Sequence, residues 1–509
     1  HGLATAEAES LMSSPATQST DDVPYTVVVG LEVHVQLKTN TKLFCRCPTI
    51  FGRPPNTQTC PVCLGLPGSL PVMNRHAFEL SMKTALALNC TIPHFTKWDR
   101  KNYFYPDLPK GYQTSQFDLP MSEHGHLNIF SEDDEFADKQ IRILRAHLEE
   151  DAGKSMHDEA DGVADSRIDL NRTGTPLLEI VSEPDMRSAA EAKAYLQELR
   201  LILLYLDVSD CNMQEGSLRC DANVNLHIDT PDGTIATPIV EIKNMNSFRA
   251  VHRGIEFEVG RQYSLWKKNK QVLGDMPKQT RGWDEGSQVT RAQREKEESS
   301  DYRYFPCPDL VPVIVTDEEI QAMQQTICTL PADLRKQLFD DHQLTAHTSA
   351  VIINQGLGFA NYFLTLATII DDGRLAGNWM QGEVLRILNE QEQTIEQFTL
   401  SAAELGELLK LIQSDDIDNS KAKDVFAMMM ESGQSAADVM AELGIEKVDS
   451  SQLEELCQRL VNNNPKIVAD VQNGNQKAVG ALIGQARNEN SNVDPGQVRE
   501  ICLALIEKL

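Results

Sequence analysis

Four cysteines within a short stretch carry the most specific chemical signal in this sequence. Cys45 and Cys47 form one close pair, twelve residues follow, and Cys60 and Cys63 form the second pair. Two such pairs on separate turns can place four thiolates tetrahedrally around one zinc ion. Four sulfur ligands leave no open position for water, so the spacing predicts a structural Zn²⁺ module at 44–64 rather than a catalytic zinc site.

Two other interpretations of these cysteines stay open. A redox pair at Cys60 and Cys63 would need a thioredoxin-like βαβ unit, which the surrounding sequence does not suggest. Four buried cysteines with no metal are the simpler alternative. The chain has eleven cysteines, and the others are scattered singly through apolar segments, as is typical of reduced proteins. This usage predicts a cytoplasmic location, or an organelle stroma or matrix.

Carboxylates and histidines on strand-like segments form a second candidate set. Glu32 and His34 are two residues apart in one such segment, so their side chains project from the same face. Glu179 lies inside an apolar run, where an unpaired buried charge is costly. Hard oxygen ligands with an imidazole suit Mg²⁺ or Mn²⁺, although each residue alone is also compatible with a solvated or salt-bridged side chain. The other members are His147, Glu149, Glu150, Asp151, Asp221 and Asn223.

The elements that must position these residues alternate between strands and a few helices. Apolar positions at helical spacing predict a helix over Ser188–Leu206. We interpret residues 23–315 as one large α+β domain rather than repeated βαβ units. The predicted strands are Val27–Lys38, Ile141–Leu144, Leu177–Val181, Ala222–Ile228 and Pro238–Ile242.

The remainder of the chain has the pattern of successive helices. Ser401 with Glu404 and Ser451 with Glu454 match the capping box of a helix start, and Ser435 with Asp438 is a looser version. Gly433, Gly444 and Gly474 are predicted helix ends. A boundary near residue 430 predicts a helical domain at 316–430 and a helical tail at 431–509. We expect residues 1–22 to be a disordered extension, because they lack both apolar periodicity and the features of a signal peptide.

Overall charge limits the kinds of partner that the chain can bind. The formal net charge is −28 and the sequence pI is about 4.8, which argues against binding nucleic acid through the field of the whole protein. Residues 431–509 alone carry 7 Lys and Arg against 12 Asp and Glu, a net charge of −5. No run approaches the roughly 18–20 apolar residues of a membrane span, so we expect no membrane partner.

Several long blocks, in order along residues 25–315, resemble one known family. They are Gly30–His34 with Leu37, Arg100–Tyr112, His147–Lys154, Asp169–Val181, Ser217–Asn223, Glu241–Phe248 and Tyr302–Pro306 with Pro308 and Asp309. The blocks are similar to those of the B subunit of the tRNA-dependent amidotransferase GatCAB. The resemblance implies a β-sheet-based cradle domain followed by an all-α helical domain and a YqeY-like helical tail.

The resemblance also implies a ligase reaction with glutamine as the amide donor. ATP would phosphorylate the side-chain carboxylate of misacylated Glu-tRNA(Gln) or Asp-tRNA(Asn), and ammonia would then displace the phosphate. A glutaminase A subunit would supply the ammonia, and a small C subunit would complete a heterotrimer. The partner RNA would be the acceptor end of tRNA(Gln), tRNA(Asn) or both. The four-cysteine zinc site is found in part of this family.

Site residues follow from the same resemblance. His34, Glu150 and Glu179 would hold Mg²⁺, with Glu32 beside it as a fourth catalytic residue. Substrate contacts are predicted at Lys101, Lys110, Lys243 and Asn244, and the first two lie in a basic patch with Lys97 and Arg100. The ATP-contacting residues are not assigned, because the chain lacks both a complete P-loop and a dinucleotide fingerprint. The alternative hypothesis is a noncatalytic, zinc-containing, tRNA-binding scaffold subunit.

Overall fold

The computed structural model describes residues 23–131, 134–157, 166–293, 302–446, 450–490 and 492–508. The chain divides into two units, His1–Ala332 and Asp333–Leu509. The first unit is rich in β-structure and the second is helical, which confirms the predicted α+β class. The predicted disordered extension, 1–22, lies outside the described residues. The domain boundaries near 315 and 430 stay predictions.

A large sheet forms the centre of the first unit, with strand order β14-β13-β12-β10-β1-β9-β6-β5 and β11 attached to β10. Neighbouring strands are antiparallel except for β12 and β13, which are parallel. Its strands are β1 (Tyr25–Gln36), β5 (Glu123–Ile129), β6 (Lys139–Glu150), β9 (Pro176–Ser182), β10 (Leu218–Thr230), β11 (Gly233–Ala236), β12 (Val240–Lys243), β13 (Gln279–Asp284) and β14 (Val289–Ala292).

Smaller sheets and helices complete the first unit. The small sheets are β15-β3-β4, β16-β2 and β7-β8, built from β2 (Phe95–Thr96), β3 (Asp99–Asn102), β4 (Tyr112–Ser115), β7 (Lys154–His157), β8 (Ser166–Asp169), β15 (Phe305–Pro306) and β16 (Val313–Ile314). The helices are α1 (Arg75–Ala87), α2 (Ala189–Tyr205), α3 (Phe248–Asn269) and α4 (Asp317–Gln324).

Alternation along β1 gives the central sheet one apolar face and one polar face. Leu31, Val33 and Val35 are completely buried and share a core with apolar residues of α1, α2 and α3. Burial of each such side chain stabilises the fold by about 1.5–3 kcal/mol. Glu32 and His34 project from the opposite face because successive strand side chains alternate. The helices therefore pack against one face of the sheet, and the other face carries the polar candidate site residues.

The predicted elements of the first unit agree closely with the observed ones. The predicted helix Ser188–Leu206 is α2, with Ser188 as its N-cap and Leu206 as its C-cap. Ser188 accepts a hydrogen bond from the backbone N–H of Glu191, as an N-cap should. Each predicted strand overlaps an observed one, although β6 extends well beyond the predicted Ile141–Leu144 to reach Glu150.

The second unit is a succession of helices. The helices are α5 (Pro331–Asp340, which spans the unit boundary), α6 (Ala346–Asn354), α7 (Leu357–Ile370), α8 (Gly373–Trp379), α9 (Leu385–Glu390), α10 (Ala402–Gln413), α11 (Asn419–Ser432), α12 (Ala436–Glu442), α13 (Ser450–Asn463), α14 (Pro465–Gln472), α15 (Val479–Glu489) and α16 (Pro495–Glu507). A π-helical turn covers Met380–Val384, and 3-10 turns cover Ile395–Gln397 and Gln476–Ala478. Among the described residues, no helix combines the length and apolar character needed to cross a membrane.

Helix ends in the second unit test the capping predictions. The capping box of Ser401 and Glu404 is present at the start of α10, and Ser435 caps α12. Gly433 ends α11 in the left-handed conformation, as a C-terminal glycine is expected to do. The prediction for Ser451 stays a prediction, because residues 447–449, which precede α13, lie outside the described residues.

Candidate active site and metal centres

A row of ionisable side chains crosses three neighbouring strands on the polar face of the central sheet. The antiparallel register places His34 of β1 directly beside Glu179 of β9, and Glu179 directly beside His147 of β6. Directly opposed residues in such pairs have Cβ atoms about 4.5–5.5 Å apart, so their side chains interact. Residues far apart in sequence are thereby brought into one site.

Two side chains of this row, His34 and Glu179, lie close to Glu149 of β6. We call these three residues the carboxylate–histidine cluster. Each can offer one ligand atom, and the three atoms lie within 4.8 Å of one another. His34 Nδ1 is 4.0 Å from Glu179 Oε2, and His147 Nε2 lies 3.5 Å from that same oxygen. Nδ1 of His34 and Nδ1 of His147 are buried and have no hydrogen-bond partner among the described residues. Each of these two imidazoles therefore has a ring nitrogen that is available to bind a ligand.

Glu150, which was predicted as a metal ligand with His34 and Glu179, does not join the cluster, whereas its neighbour Glu149 does. Glu150 projects from the opposite face of β6, where it accepts hydrogen bonds from Lys110 Nζ and, at 2.8 Å, from the backbone N–H of Thr114. Its exposure is only 2%. A β-bulge between Ile143 and Arg145 causes the difference, since one extra residue reverses which side chains face the polar side.

The electrostatics of Glu149 favour its charged form. Burial alone would raise the pKa of Glu149, but the His147 imidazole and the Lys101 ammonium outweigh burial and lower this pKa to about 2. The hydroxyl of Ser115 also donates a hydrogen bond of 3.1 Å to Glu149 Oε2. Burial likewise disfavours charge on Lys101, but several nearby groups, with Glu149 the largest contributor and Glu179 among the others, together outweigh burial and raise the pKa of Lys101 above its ordinary value. Sequence reasoning included Glu149 and His147 in the wider candidate set but assigned neither of them a role in the site.

Glu32 lies on the same face as His34 but outside the cluster. Its Oε1 atom accepts a hydrogen bond of 2.8 Å from Nδ2 of Asn223 on β10. No Lys, Arg or His nitrogen pairs with Glu32 within 4.0 Å among the described ion pairs. Glu32 thus provides an unneutralised carboxylate next to the cluster.

The predicted basic patch is largely neutralised by carboxylates of the protein itself. Lys97 is 2.5 Å from Asp99 and 2.5 Å from Asp118. Arg100 is paired with Asp309 at 2.5 Å, and Lys110 is paired with the buried Glu150. Lys101 differs from these three because it has no carboxylate partner within 4.0 Å among the described ion pairs; it lies 5.0 Å above the ring of Tyr302 and is influenced by the carboxylates of the cluster. Lys101 is therefore the predicted substrate contact best placed to act in the site.

The predicted contacts Lys243 and Asn244 lie on and just after β12. Lys243 Nζ is 2.6 Å from Asp221 and 3.1 Å from Glu241, so its charge is already balanced. Asn244 has a left-handed backbone with φ of 65°, where the strand ends. A Cβ at Gly282 would lie 3.1 Å from Asn244 Nδ2, so the strand β13 packs tightly against this turn.

The four predicted zinc ligands converge. The Sγ atoms of Cys45, Cys47, Cys60 and Cys63 lie within 4.8 Å of one another, and those of Cys60 and Cys63 are 3.9 Å apart. Zinc–sulfur bonds of about 2.3 Å in a tetrahedron separate sulfurs by about 3.8 Å, so this cysteine cluster has the right size for Zn²⁺.

The surroundings of the cysteine cluster favour a thiolate. A hydrogen bond from the Cys45 thiol lowers the pKa of Cys63 to about 5, against the effect of burial, and the nearby Lys42 contributes in the same direction. Burial and Cys60 raise the pKa of Cys47 to about 11. Lys42 is 1% exposed, and its Nζ lies 3.7 Å from Cys63 Sγ and donates to the carbonyl of Gln58 at 2.7 Å.

The cysteine cluster is packed against the strand end that carries Glu150. A Cβ at Gly65 would meet Lys110 Cγ at 2.6 Å, and a Cβ at Gly174 would touch Cys63, Lys42 and Glu150 at 3.7 Å each. Both glycines have positive φ, which favours glycine at each position, and at Gly65 the approach of Lys110 is also too close for a Cβ. The cysteine cluster and the Lys110–Glu150 pair therefore support each other.

Comparisons with known proteins agree with the resemblance of the sequence blocks. The family model of the GatB/GatE catalytic domain matches residues 27–321, and a GatB domain model, GatB_Yqey, matches residues 361–506. The chain is similar to the B subunit of the aspartyl/glutamyl-tRNA(Asn/Gln) amidotransferase of Rhodopirellula baltica, with 56% identity over 498 residues that cover 98% of this chain and 100% of the relative. The corresponding proteins of Moorella thermoacetica and Caldanaerobacter subterraneus are 45% and 44% identical; they align with 94% and 91% of this chain and with 98% and 95% of their own lengths.

Proposed function

The chain belongs to the GatB/GatE family, as a B subunit of the aspartyl/glutamyl-tRNA(Asn/Gln) amidotransferases, and from this premise we propose that it carries the amide-forming site. The reaction is the ATP-dependent conversion of Glu-tRNA(Gln), Asp-tRNA(Asn) or both into the corresponding amides, which makes the complex a carbon–nitrogen ligase. The observation that carries this proposal is the carboxylate–histidine cluster. A scaffold without catalysis has no need to assemble such a set on the open face of a sheet.

Two displacement steps account for the reaction. A side-chain carboxylate oxygen of the aminoacyl group attacks the γ-phosphorus of ATP, and the bond to the β-phosphate oxygen breaks to release ADP. The nitrogen of ammonia then attacks the carbonyl carbon of the acyl phosphate, inorganic phosphate leaves, and a proton is lost from nitrogen. Neither step needs a protein nucleophile, so the chain contributes binding, orientation and charge.

Residues of the cluster have the chemistry needed to hold a divalent ion. We propose His34, Glu149 and Glu179 as its ligands, because two carboxylates and an imidazole are within 4.8 Å of one another. Mg²⁺ bound there would neutralise charge on the transferred phosphoryl group and polarise the acceptor carboxylate. Ser115 and His147 orient Glu149 and Glu179, and the half-buried Lys101 offers a positive charge to an anionic substrate group.

The cysteine cluster has a structural role in this proposal. Zn²⁺ held by Cys45, Cys47, Cys60 and Cys63 would fix the conformation of the loop 44–64. With four sulfur ligands, that ion would have no open coordination position for substrate. Lys110 then serves as an internal partner for Glu150 and not as a contact to tRNA, since that pair is buried.

The partners and the organisation of the chain are part of the same proposal. A glutaminase A subunit would deliver ammonia, and a small C subunit would complete the heterotrimer. The acceptor end of tRNA would lie over the polar face of the cradle domain, 23–315, while the helical domain, 316–430, and the YqeY-like tail, 431–509, hold other parts of the RNA. The tail carries a net charge of −5, so shape contacts must contribute more there than charge attraction. We propose a cytoplasmic location or an organelle stroma or matrix, because free cysteines at a thiolate metal site fit a reducing compartment.

The test supplies the purified three-subunit complex with ATP, ammonium and, in turn, Glu-tRNA(Gln) and Asp-tRNA(Asn). We expect amidated tRNA and ADP in equal amounts from at least one substrate. Formation of amide without ATP use would contradict the ATP-dependent reaction, whereas no amide from either substrate while both tRNAs still bind would favour the noncatalytic scaffold. The same assay also decides between the glutamyl and aspartyl substrates.

A further inference from the structure

A cleft of about 280 Å³ opens on the polar face of the central sheet, beside the carboxylate–histidine cluster. Its lining includes Gly30, Glu32, Ser182, Asn223 and Lys278. The volume is just below the roughly 300–1,000 Å³ of pockets for drug-sized ligands, so the cleft suits a small group rather than a whole nucleotide.

Glu32 and Asn223 both present hydrogen-bond acceptors to the cleft. Asn223 donates through Nδ2 to Glu32, and a carboxylate can only accept, so the orientation of the amide is fixed with Oδ1 pointing away from Glu32. Asn223 Oδ1 is buried and has no hydrogen-bond partner among the described residues. A buried acceptor left unpaired is unfavourable, because it has lost its hydrogen bonds to water. Such a site favours a ligand that donates hydrogen bonds.

The charges around the cleft favour a cation. Asp221, on the neighbouring strand, is neutralised by Lys243 at 2.6 Å. Lys278, a cation in the lining, is 3.7 Å from Glu241. Glu32 has no such partner among the described ion pairs, so its negative charge is the one that a ligand can balance.

The spacing between the cleft and the cluster matches the substrate of the proposed function. Glu32 and His34 are two residues apart on one strand face, which places their side chains about 6.6 Å apart along the strand. In a glutamyl group, the α-nitrogen and the side-chain carboxylate carbon are four bonds apart, or roughly 5 Å when extended. One aminoacyl group can therefore reach both places.

We propose that Glu32 and Asn223 bind the α-ammonium group of the aminoacyl ester while its side-chain carboxylate lies at the carboxylate–histidine cluster. This inference rests on the proposed function and names the recognition element within it. Glu32 is then a substrate-binding residue and not a metal ligand. The two acceptors select aminoacyl groups over carboxylates of the same length that lack an amine.

The experiment compares Glu-tRNA with glutaryl-tRNA, which keeps the reacting carboxylate and the ester but lacks the α-amine. For the unaltered complex we expect kcat/KM to be about 10- to 100-fold higher with the glutamyl substrate, as for hydrogen bonds to charged groups. Glu32→Gln keeps the shape and removes the charge, and we expect it to reduce this preference to about 3-fold or less. Glu183→Gln is the matched control, because Glu183 lies in the chain between the lining residues Ser182 and Pro184 without lining the cleft. It should retain the full preference.

A binding measurement separates this inference from the proposed function. Adenosine that carries a glutamyl or a glutaryl group through a stable 3′-amide is titrated into the complex by calorimetry. Tighter binding of the glutamyl compound that is lost in Glu32→Gln supports the inference even where turnover is absent. Equal affinities for the two compounds, or equal losses of kcat/KM for both tRNA substrates in Glu32→Gln, would overturn it. Failure of the unaltered complex to amidate Glu-tRNA would instead overturn the proposed function.

Discussion

The cysteine cluster and the carboxylate–histidine cluster are both candidate metal sites, but they are built in opposite ways. The cysteine cluster takes its four ligands from a single stretch, and the spacing of Cys45, Cys47, Cys60 and Cys63 already indicates their convergence. The carboxylate–histidine cluster takes one ligand from each of three strands that are far apart in sequence. A local site can be predicted from spacing, whereas a site assembled across a sheet depends on strand order and register.

The difference extends to the roles that we expect for the two clusters. Four sulfur ligands close the coordination sphere and stabilise a loop, whereas two carboxylates and an imidazole leave room for substrate oxygens. Loss of the first should therefore act mainly on stability and loss of the second mainly on rate. Substitutions at each cluster can test that division.

The largest effect should come from removing the metal of the cysteine cluster. We expect the purified chain to contain a single zinc ion at this site, and Cys60→Ser with Cys63→Ser to abolish zinc binding. Structural zinc in small modules contributes on the order of 10 kcal/mol, so the melting temperature of the variant should fall markedly. Elemental analysis and thermal unfolding are the measurements. Cys328→Ser, which alters a cysteine outside the cluster, is the control; a variant pair with unchanged zinc content would remove the structural assignment.

The next effect distinguishes two adjacent glutamates. Glu149→Gln should lower the single-turnover rate of amide formation by roughly 1,000-fold, because charge stabilisation at the reacting phosphoryl group is lost. Its melting temperature should fall moderately, because glutamine keeps the shape but loses the charge that His147 and Lys101 stabilise in the folded protein. Binding of Mn²⁺, followed by electron paramagnetic resonance, should weaken in parallel. Retention of both amidation and Mn²⁺ affinity would show that Glu149 is not a ligand.

Glu150→Ala, at the neighbouring position, should lower the stability of the protein and have little effect on the rate of amidation. The change leaves Lys110 buried and unpaired, and breaking such a pair costs about 3–5 kcal/mol. We expect lower stability in chemical unfolding, but amidation within about 10-fold of normal at temperatures where the variant is folded. The double variant Lys110→Met with Glu150→Leu removes both charges and should recover much of the lost stability. Loss of amidation at full stability in Glu150→Ala would restore Glu150 to the metal site.

The sequence predicted most elements and the convergence of the four cysteines, but not which glutamate of β6 lies beside His34 and Glu179. The α2 helix, its caps and the strand at β1 follow from periodicity, because these signals are local. The choice between Glu149 and Glu150 depends on the bulge in β6. Ile141 and Ile143 face the core, and an uninterrupted strand would turn Glu150 toward the polar face; the extra residue reverses this. A bulge is fixed by pairing with β9, which no local pattern specifies.

The smallest predicted effect concerns another local feature, the capping box of the second unit. Ser401 accepts a hydrogen bond from the backbone N–H of Glu404, whose carboxylate in turn accepts from the backbone N–H of Ser401 at 2.7 Å. Ser401→Ala removes one half of this exchange and should cost about 1 kcal/mol of stability without changing amidation. Ser432→Ala is a suitable control, because that hydroxyl donates to the carbonyl of Met428 and accepts from the backbone N–H of Gln434 after α11, but caps no helix start. If local signals govern stability and assembled clusters govern rate, the Ser401 variant must fall on the stability side together with the cysteine variants. A loss of amidation larger than its loss of stability would contradict the division between the two kinds of site.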